Sequence, residues 1–152
     1  MNDPIVRFVK IKPMRAAVFN TISKTPETQA HEARLAWAGP KGLLEDPSTY
    51  LLFGRNNPPP TPGQEEYGYD CLMTVNPDVE VEDDVRVEKI AGGLYAVVRT
   101  NLTNIGDMWE WLYRWLPENG YKIAGHGLEE LLYGDESAPD EFLLDLWLPI
   151  AE

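Results

Sequence analysis

The chain has 152 residues, 43% of them hydrophobic and 11% aromatic, which is enough apolar material for one folded domain with a sizeable core. This composition excludes a disordered chain. The formal net charge of -12 excludes binding to nucleic acid through a general basic field, so we expect no direct nucleic acid partner. An acidic surface attracts cations and basic partners instead.

The first half of the chain predicts strands on either side of one helix. The predicted strands are residues 6–12, 15–22, 50–53 and 67–75. Thr25 and Pro26 are typical of a helix N-cap and first turn, and the helix is expected to end near Ala38. Residues 57–63 carry four prolines and predict an exposed loop, because proline cannot donate to a sheet.

The same pattern returns after an acidic connector at residues 76–84. Residues 9–21 align without gaps on residues 88–100, an offset of 79 positions, with five identities. The offset places Thr25 on Asn104, a second good helix N-cap. Two shorter matches follow in the same order, and they pair 51–54 with 131–134 and 69–73 with 144–148. Internal repeats of about residues 5–76 and 85–151 are therefore predicted within a single domain, 1–152.

A β-α-β-β pattern that occurs twice predicts an α+β fold. We expect an antiparallel-rich sheet with two helices on one face and a ligand cleft between the halves. The predicted apolar stripe of the first helix is Ala30, Ala33, Ala36 and Trp37, against Trp109, Leu112, Trp115 and Leu116 in the second. A face of alanines leaves room for a groove, unless the tryptophans fill that space, as close packing requires of most cores.

The single cysteine and the N-terminus indicate a cytoplasmic protein. Cys71 excludes an intramolecular disulfide and favours a reducing compartment. No signal peptide is evident, and no apolar stretch approaches the roughly 18 residues that cross a bilayer, so no membrane partner is expected. With one Cys and two His, no metal site is predicted, and no cofactor motif is present.

Three passages of the second half resemble GyrI-like proteins. Residues 111–125 (WLYRWLPENGYKIAG) are similar to that family's long helix followed by Asn-Gly-Tyr and Gly. Residues 92–97 (GGLYAV) resemble its Gly-x-Tyr-Ala-Val strand, and residues 147–150 (WLPI) its terminal Ile-Pro-Val. The first half matches mainly through the order of its elements.

The resemblance implies a small-molecule-binding, effector-binding domain, with multidrug binding among the family's properties. Some members are fused to AraC- or MerR-type DNA-binding segments of transcription regulators. Others stand alone, including gyrase-inhibitory proteins and hydrolases that open electrophilic cyclopropane compounds. Because the duplicated module occupies residues 6–150, we expect the stand-alone type.

The resemblance also implies a central acidic residue in a Gly-Pro-x-x-Glu-x-Tyr strand. The matching stretch here is residues 125–133 (GHGLEELLY), which places the acid at Glu129, or at Glu130 if the register shifts by one. Leu131 stands where the family has tyrosine. Tyr133 is expected to substitute, because it shares a strand face with Glu129.

A carboxylate among aromatic rings has a specific chemical use. Loss of water raises its pKa and costs several kcal/mol, which a hydrophobic cation offsets while aromatic faces add cation–π attraction. The expected partner is therefore a hydrophobic, cationic small molecule. The candidate ligand-binding residues are Glu129, Glu130, Tyr95, Trp111, Tyr133 and Tyr69, with Trp147 a weaker candidate because the repeat alignment places it opposite Tyr69.

Two alternatives remain open at this point. If the protein is an enzyme, Glu129 and Tyr95 would act in a hydrolase; its catalytic residues are otherwise unknown. An acidic interaction module of the gyrase-inhibitor type would need a protein partner, which is unknown, and no pocket. Several polar residues are predicted to have no functional role. We expect His31 on the surface of a helix, His126 in a turn, and Asp70 and Asp145 exposed on strands.

Overall fold

The computed structural model describes residues 4–134 and 137–152. The chain divides into two compact units, one formed by Met14–Ile90 and the other by Met1–Pro13 together with Ala91–Glu152. We call these the central unit and the terminal unit. Neither of the α-helices in the described ranges is long and apolar enough to span a bilayer.

The strands and helices follow the predicted order. In chain order the strands are β1 (Val6–Ile11), β2 (Met14–Ser23), β3 (Leu52–Asn56), β4 (Tyr67–Thr74), β5 (Arg86–Ile90), β6 (Gly93–Asn101), β7 (Leu128–Tyr133) and β8 (Leu143–Ile150). The helices are α1 (Pro26–Ala38) and α2 (Ile105–Glu118), with short 3-10 turns at Pro47–Thr49 and Pro139–Glu141. The predicted α+β class is confirmed.

Each unit contains a β-α-β-β succession plus one further strand. In the central unit, β4 pairs with β3 and β2, and β2 pairs with β5. In the terminal unit, β8 pairs with β7 and β6, and β6 pairs with β1. All these pairs are antiparallel.

The first strand of each sequence repeat pairs with the other repeat. Strand β1 lies beside β6, and β5 lies beside β2. The two-residue links after β1 and after β5 pass close to each other, because a Cβ placed on Gly92 would come within 2.7 Å of Pro13 Cδ. Glycine is needed at position 92 for this close approach.

Helix α2 buries its predicted stripe against the sheet of the terminal unit. Leu112 and Leu116 are fully buried in one cluster, with Trp109 and Trp115 partly buried around it. The strand residues of the cluster are Ala96, Val98, Leu146, Leu148 and Ile150. They alternate along β6 and β8, so they all lie on the face of the sheet that contacts α2.

Helix α1 packs differently from the prediction. Its buried positions recur every fourth residue at Pro26, Ala30, Arg34 and Ala38, whereas Ala33 and Ala36 are exposed. The predicted stripe is confirmed at Ala30 and wrong at Ala33 and Ala36, because the helix turns Arg34 rather than these two alanines toward the sheet. Ala30 packs with Tyr69 and Cys71 of β4.

Candidate functional site

The two adjacent glutamates of β7 lie on opposite faces of their sheet. Glu129 is paired with Leu146 of β8, and Glu130 with Asp145. Residues directly opposite in an antiparallel pair share a face, and Leu146 belongs to the cluster under α2. Glu129 therefore lies on the α2 side and Glu130 on the other, and each is only partly exposed.

Glu129 contacts α2 through Trp109. The indole Nε1 of Trp109 donates a hydrogen bond to Glu129 Oε2 over 2.8 Å. The Trp109 ring lies 5.9 Å from that of Tyr113, one helical turn further on. It also packs against Gly127, since a Cβ there would lie 2.4 Å from the ring. The indole is a neutral donor, so this hydrogen bond stabilises the carboxylate without adding a positive charge beside it.

Glu130 contacts Trp147 on the opposite face. Trp147 Nε1 donates to Glu130 Oε1 over 3.0 Å. Burial raises the pKa of Glu130, the hydrogen bond from Trp147 opposes this shift, and the nearby Asp145 carboxylate adds to it. The Trp147 ring also meets Tyr95 edge to face, with ring centroids 5.5 Å apart.

Tyr95 is a buried aromatic residue of this second face. It is 4% exposed, and its hydroxyl donates to the backbone oxygen of Ala91 over 2.7 Å. Burial raises the pKa of its hydroxyl. Tyr95 and Glu129 lie on opposite faces of the sheet, so the structure does not form the pair that the hydrolase alternative requires.

Both strand aspartates are buried, and the prediction that they are exposed is wrong. Asp145 is 3% exposed; Arg7 Nη2 donates to it over 2.7 Å and Arg99 Nε over 2.9 Å. Alternation along a strand predicts exposure only when one face of the sheet meets water. Here the second face carries an ion-pair cluster, which keeps a buried carboxylate satisfied.

The same cluster recurs in the central unit around Asp70, which is fully buried. Its carboxylate accepts hydrogen bonds from Arg55 Nε at 2.9 Å and Arg86 Nη2 at 3.0 Å, and from the side chains of Asn20 and Asn57. Burial raises the pKa of Asp70, but these hydrogen bonds and the Arg55 charge outweigh it and hold the pKa below its ordinary value.

Tyr69 lies in the central unit, on the face that meets α1. It is 5% exposed, and its ring centroid is 5.9 Å from that of His31. The Tyr69 hydroxyl occupies the space over Gly54, where a Cβ would lie 1.8 Å away. His31 is partly buried rather than on the surface as expected, and burial lowers its pKa to about 4. His126 is exposed, as expected.

The remaining two candidates stand apart from the Glu129–Trp109 contact. Trp111 stacks on Trp115 at 5.5 Å, and Trp115 stacks on Tyr121 at 6.0 Å. Residues 109 and 111 are about 200° apart around a helix, so Trp111 lies on the other flank of α2. The side chain of Tyr133 is outside the described part of the structure, although its backbone closes β7.

Sequence reasoning missed Trp109 as the partner of Glu129. It was assigned to the apolar stripe of α2, which is correct but incomplete, because an indole also carries a donor. The available signal was a tryptophan at the flank of the stripe, at the position where the first repeat has Ala30. Among the described residues, no group of three or more His, Cys, Asp or Glu side chains is placed to hold a metal ion.

Comparison with models of known protein families identifies the family of this chain. The model of the GyrI-like small molecule binding domain matches residues 5–151. No curated protein matches the chain.

Solved structures with the same fold include three of interest. The EcmrR C-terminal domain is 13% identical with a TM-score of 0.68, and 98% of each chain is covered. The present chain spans 58% of the length of the EcmrR chain in an EcmrR–DNA complex. A hydrolase from Listeria innocua is 9% identical with a TM-score of 0.67, covering 96% of this chain and 91% of that one. SAV2435, bound to tetraphenylphosphonium, is 11% identical with a TM-score of 0.54 and coverages of 97% and 94%. At these identities the likenesses show the fold alone.

Proposed function

Because the chain belongs to the GyrI-like small-molecule-binding domain family, we propose that it binds a hydrophobic, cationic molecule at the carboxylate of Glu129. The role would be sequestration or sensing of that molecule. Glu129 carries the proposal, since it is a partly buried acid on the α2 side of the sheet.

Three features of Glu129 support a cationic ligand. Its hydrogen bond with Trp109 comes from a neutral donor, so this contact brings no positive charge to the carboxylate. Partial burial removes part of its water, which makes a ligand charge more effective than it would be in bulk solvent. The ring of Trp109 contacts it, the ring of Tyr113 lies 5.9 Å from that of Trp109, and such aromatic faces offer cation–π contact worth roughly 0.5–2 kcal/mol.

Glu130 has a different environment. The Asp145 carboxylate beside it and the charges of Arg7 and Arg99 all act on its ionisation. A ligand cation would have to compete there with two arginines already hydrogen-bonded to Asp145. Glu129 is therefore the better candidate of the two.

The test uses two ions of the same shape and opposite charge. Tetraphenylphosphonium and tetraphenylborate present four phenyl rings around one charged centre, so a difference in affinity reports charge preference. SAV2435 binds the cation, which makes it a reasonable first probe. We expect isothermal titration to show tighter binding of the phosphonium, and a thermal shift that increases with its concentration.

Two matched variants locate the charge. Glu129→Gln keeps an acceptor for Trp109 and removes the charge. The attraction of a cation about 5 Å away is about 3 kcal/mol at an effective dielectric of about 20, and solvent screening at this partly exposed carboxylate reduces it, so phosphonium affinity should fall about tenfold to a hundredfold. Glu130→Gln makes the same change on the opposite face and should leave the affinity within about twofold. A protein that prefers the borate, or a reversed ranking of the two variants, contradicts the proposal.

A further inference from the structure

Arg34 is an unusual residue for the interior of the central unit. It is 7% exposed on the buried face of α1, where Pro26, Ala30 and Ala38 are its companions. Buried arginines are normally paired with carboxylates. Among the described residues, no carboxylate lies at ion-pair distance from Arg34, and its Nε has no hydrogen-bond acceptor.

Two side chains beside this guanidinium, Cys71 and His31, are neutral. Arg34 lies close enough to Cys71 to favour its ionisation, but burial dominates and raises the pKa of that thiol to about 11, so Cys71 carries a proton at neutral pH. His31 lies beside them, with its Nδ1 3.4 Å from Cys71 Sγ. Burial together with the charge of Arg34 lowers the His31 pKa to about 4, so this ring is neutral too.

The fold itself does not call for an arginine at this place. The repeat offset puts Arg34 on Tyr113 of α2, which is exposed at 45%. An unmet donor in the interior destabilises the native state, and an apolar side chain would pack there without that cost. A residue kept at such a cost is explained by an acceptor that arrives from outside.

We propose that the α1-facing surface of the central unit is a second binding site, in which Arg34 donates to an anionic oxygen group of a hydrophobic ligand. Guanidinium groups recognise carboxylate, sulfonate and phosphate oxygens through parallel N–H donors, and Nε is one member of such a pair. The partly buried Phe19 and Leu52, with the ring of Tyr69, supply the apolar surroundings. Arg34 belongs to the central unit, whereas Glu129 belongs to the terminal unit.

The experiment compares two fluorescent probes with the same ring system. 8-Anilinonaphthalene-1-sulfonate carries the anionic group, and N-phenyl-1-naphthylamine lacks it. We expect the full chain to bind the sulfonate at least tenfold more tightly, against the direction set by a net charge of -12. Equal affinities, or a preference for the neutral probe, overturn the proposal.

Variants then assign the preference to Arg34. Arg34→Met keeps the length of the side chain without its donors, and should lower sulfonate affinity at least tenfold while leaving the neutral probe unchanged. Arg34→Lys should retain part of the preference, because it keeps the charge. Lys24→Met removes one exposed charge from the same unit and should change neither affinity. An unchanged sulfonate affinity in Arg34→Met contradicts the site.

Stability separates a binding role from a structural one. Without ligand, Arg34→Met should melt at the same temperature as the natural protein or higher, because the unmet Nε is gone. A lower melting temperature in both Arg34 variants would make Arg34 a structural residue and refute the inference. Glu129→Gln should keep the sulfonate preference, so this result and the phosphonium result succeed or fail separately.

Discussion

Gly127→Ala tests whether the geometry around Glu129 is as tight as the structure indicates. A Cβ at position 127 would lie 2.4 Å from Trp109 Cη2, 2.9 Å from Cζ3 and 3.0 Å from the backbone oxygen of Trp147. Carbon atoms pack comfortably at about 3.5–4.0 Å, so the indole has to retreat by about 1 Å. That movement would stretch the 2.8 Å bond from Trp109 to Glu129 beyond hydrogen-bond length.

The expected cost has two parts. Overpacking of this kind costs about 1–3 kcal/mol, and loss of a hydrogen bond to a charged group about 1.5–3 kcal/mol. Because Glu129 is partly solvated, the lower end of the second range applies, and the free energy of unfolding should fall by about 2.5–4.5 kcal/mol in urea denaturation. Phosphonium binding should weaken as well, since the ring and the carboxylate no longer hold one geometry.

Gly106→Ala is the matched control. It lies in α2, and a Cβ at position 106 would meet nothing within 4 Å. Alanine is the better helix former by about 0.5–1 kcal/mol, so this variant should be as stable as the natural protein or slightly more stable. If the free energy of unfolding of Gly127→Ala lies within about 0.5 kcal/mol of that of the natural protein, and both bind the phosphonium equally well, the tight contact between Gly127 and Trp109 is refuted.

Three further predictions concern the buried polar groups. Asp70→Asn should destabilise the protein by about 1.5–3 kcal/mol in urea, because the fully buried Asp70 carboxylate accepts hydrogen bonds from four side chains that a neutral amide cannot all replace, and Arg55 among them is only 28% exposed. Asp145→Asn should cost less, since its arginines are half exposed; equal losses would contradict the ranking. Burial raises the pKa of Glu130, so ionisation of Glu130 destabilises the native state at a pH above that pKa. Glu130→Gln should therefore have a larger free energy of unfolding than the natural protein at pH 7, and this difference should shrink as the pH falls toward 4.5. Cys71, fully buried with its pKa raised to about 11, should react with a thiol reagent at pH 8 only after unfolding; rapid reaction of the native protein would disprove the burial.

Much of the fold could be predicted from local signals. Thr25 with Pro26 and Asn104 marked the two helix starts, and strand alternation marked β4 and β8, because caps and periodicity depend on near neighbours in sequence. The pairing of β1 with β6 could not be read in this way. Two alternating strands present the same pattern to any partner, so their choice depends on distant contacts.

The candidate site was predicted in part. Glu129 and Glu130 were identified as alternatives, but only the register of β7 on β8 decides which faces α2. Asp145 was misjudged because a charged residue on an alternating strand is usually solvated, and its arginines come from other strands. Arg34 was overlooked for a related reason: an arginine in a weakly apolar helix reads as solvent-facing until the helix is docked.

The crossed placement of the two opening strands has a consequence for how such a chain could arise. If the chain is divided in the acidic connector, each piece keeps a strand whose neighbour is in the other piece. A half-length ancestor could therefore complete its sheets only by exchanging its first strand with a second copy of itself. Fusion of two copies end to end would have made that exchange permanent. Separately produced halves should stay incomplete alone and regain structure when mixed.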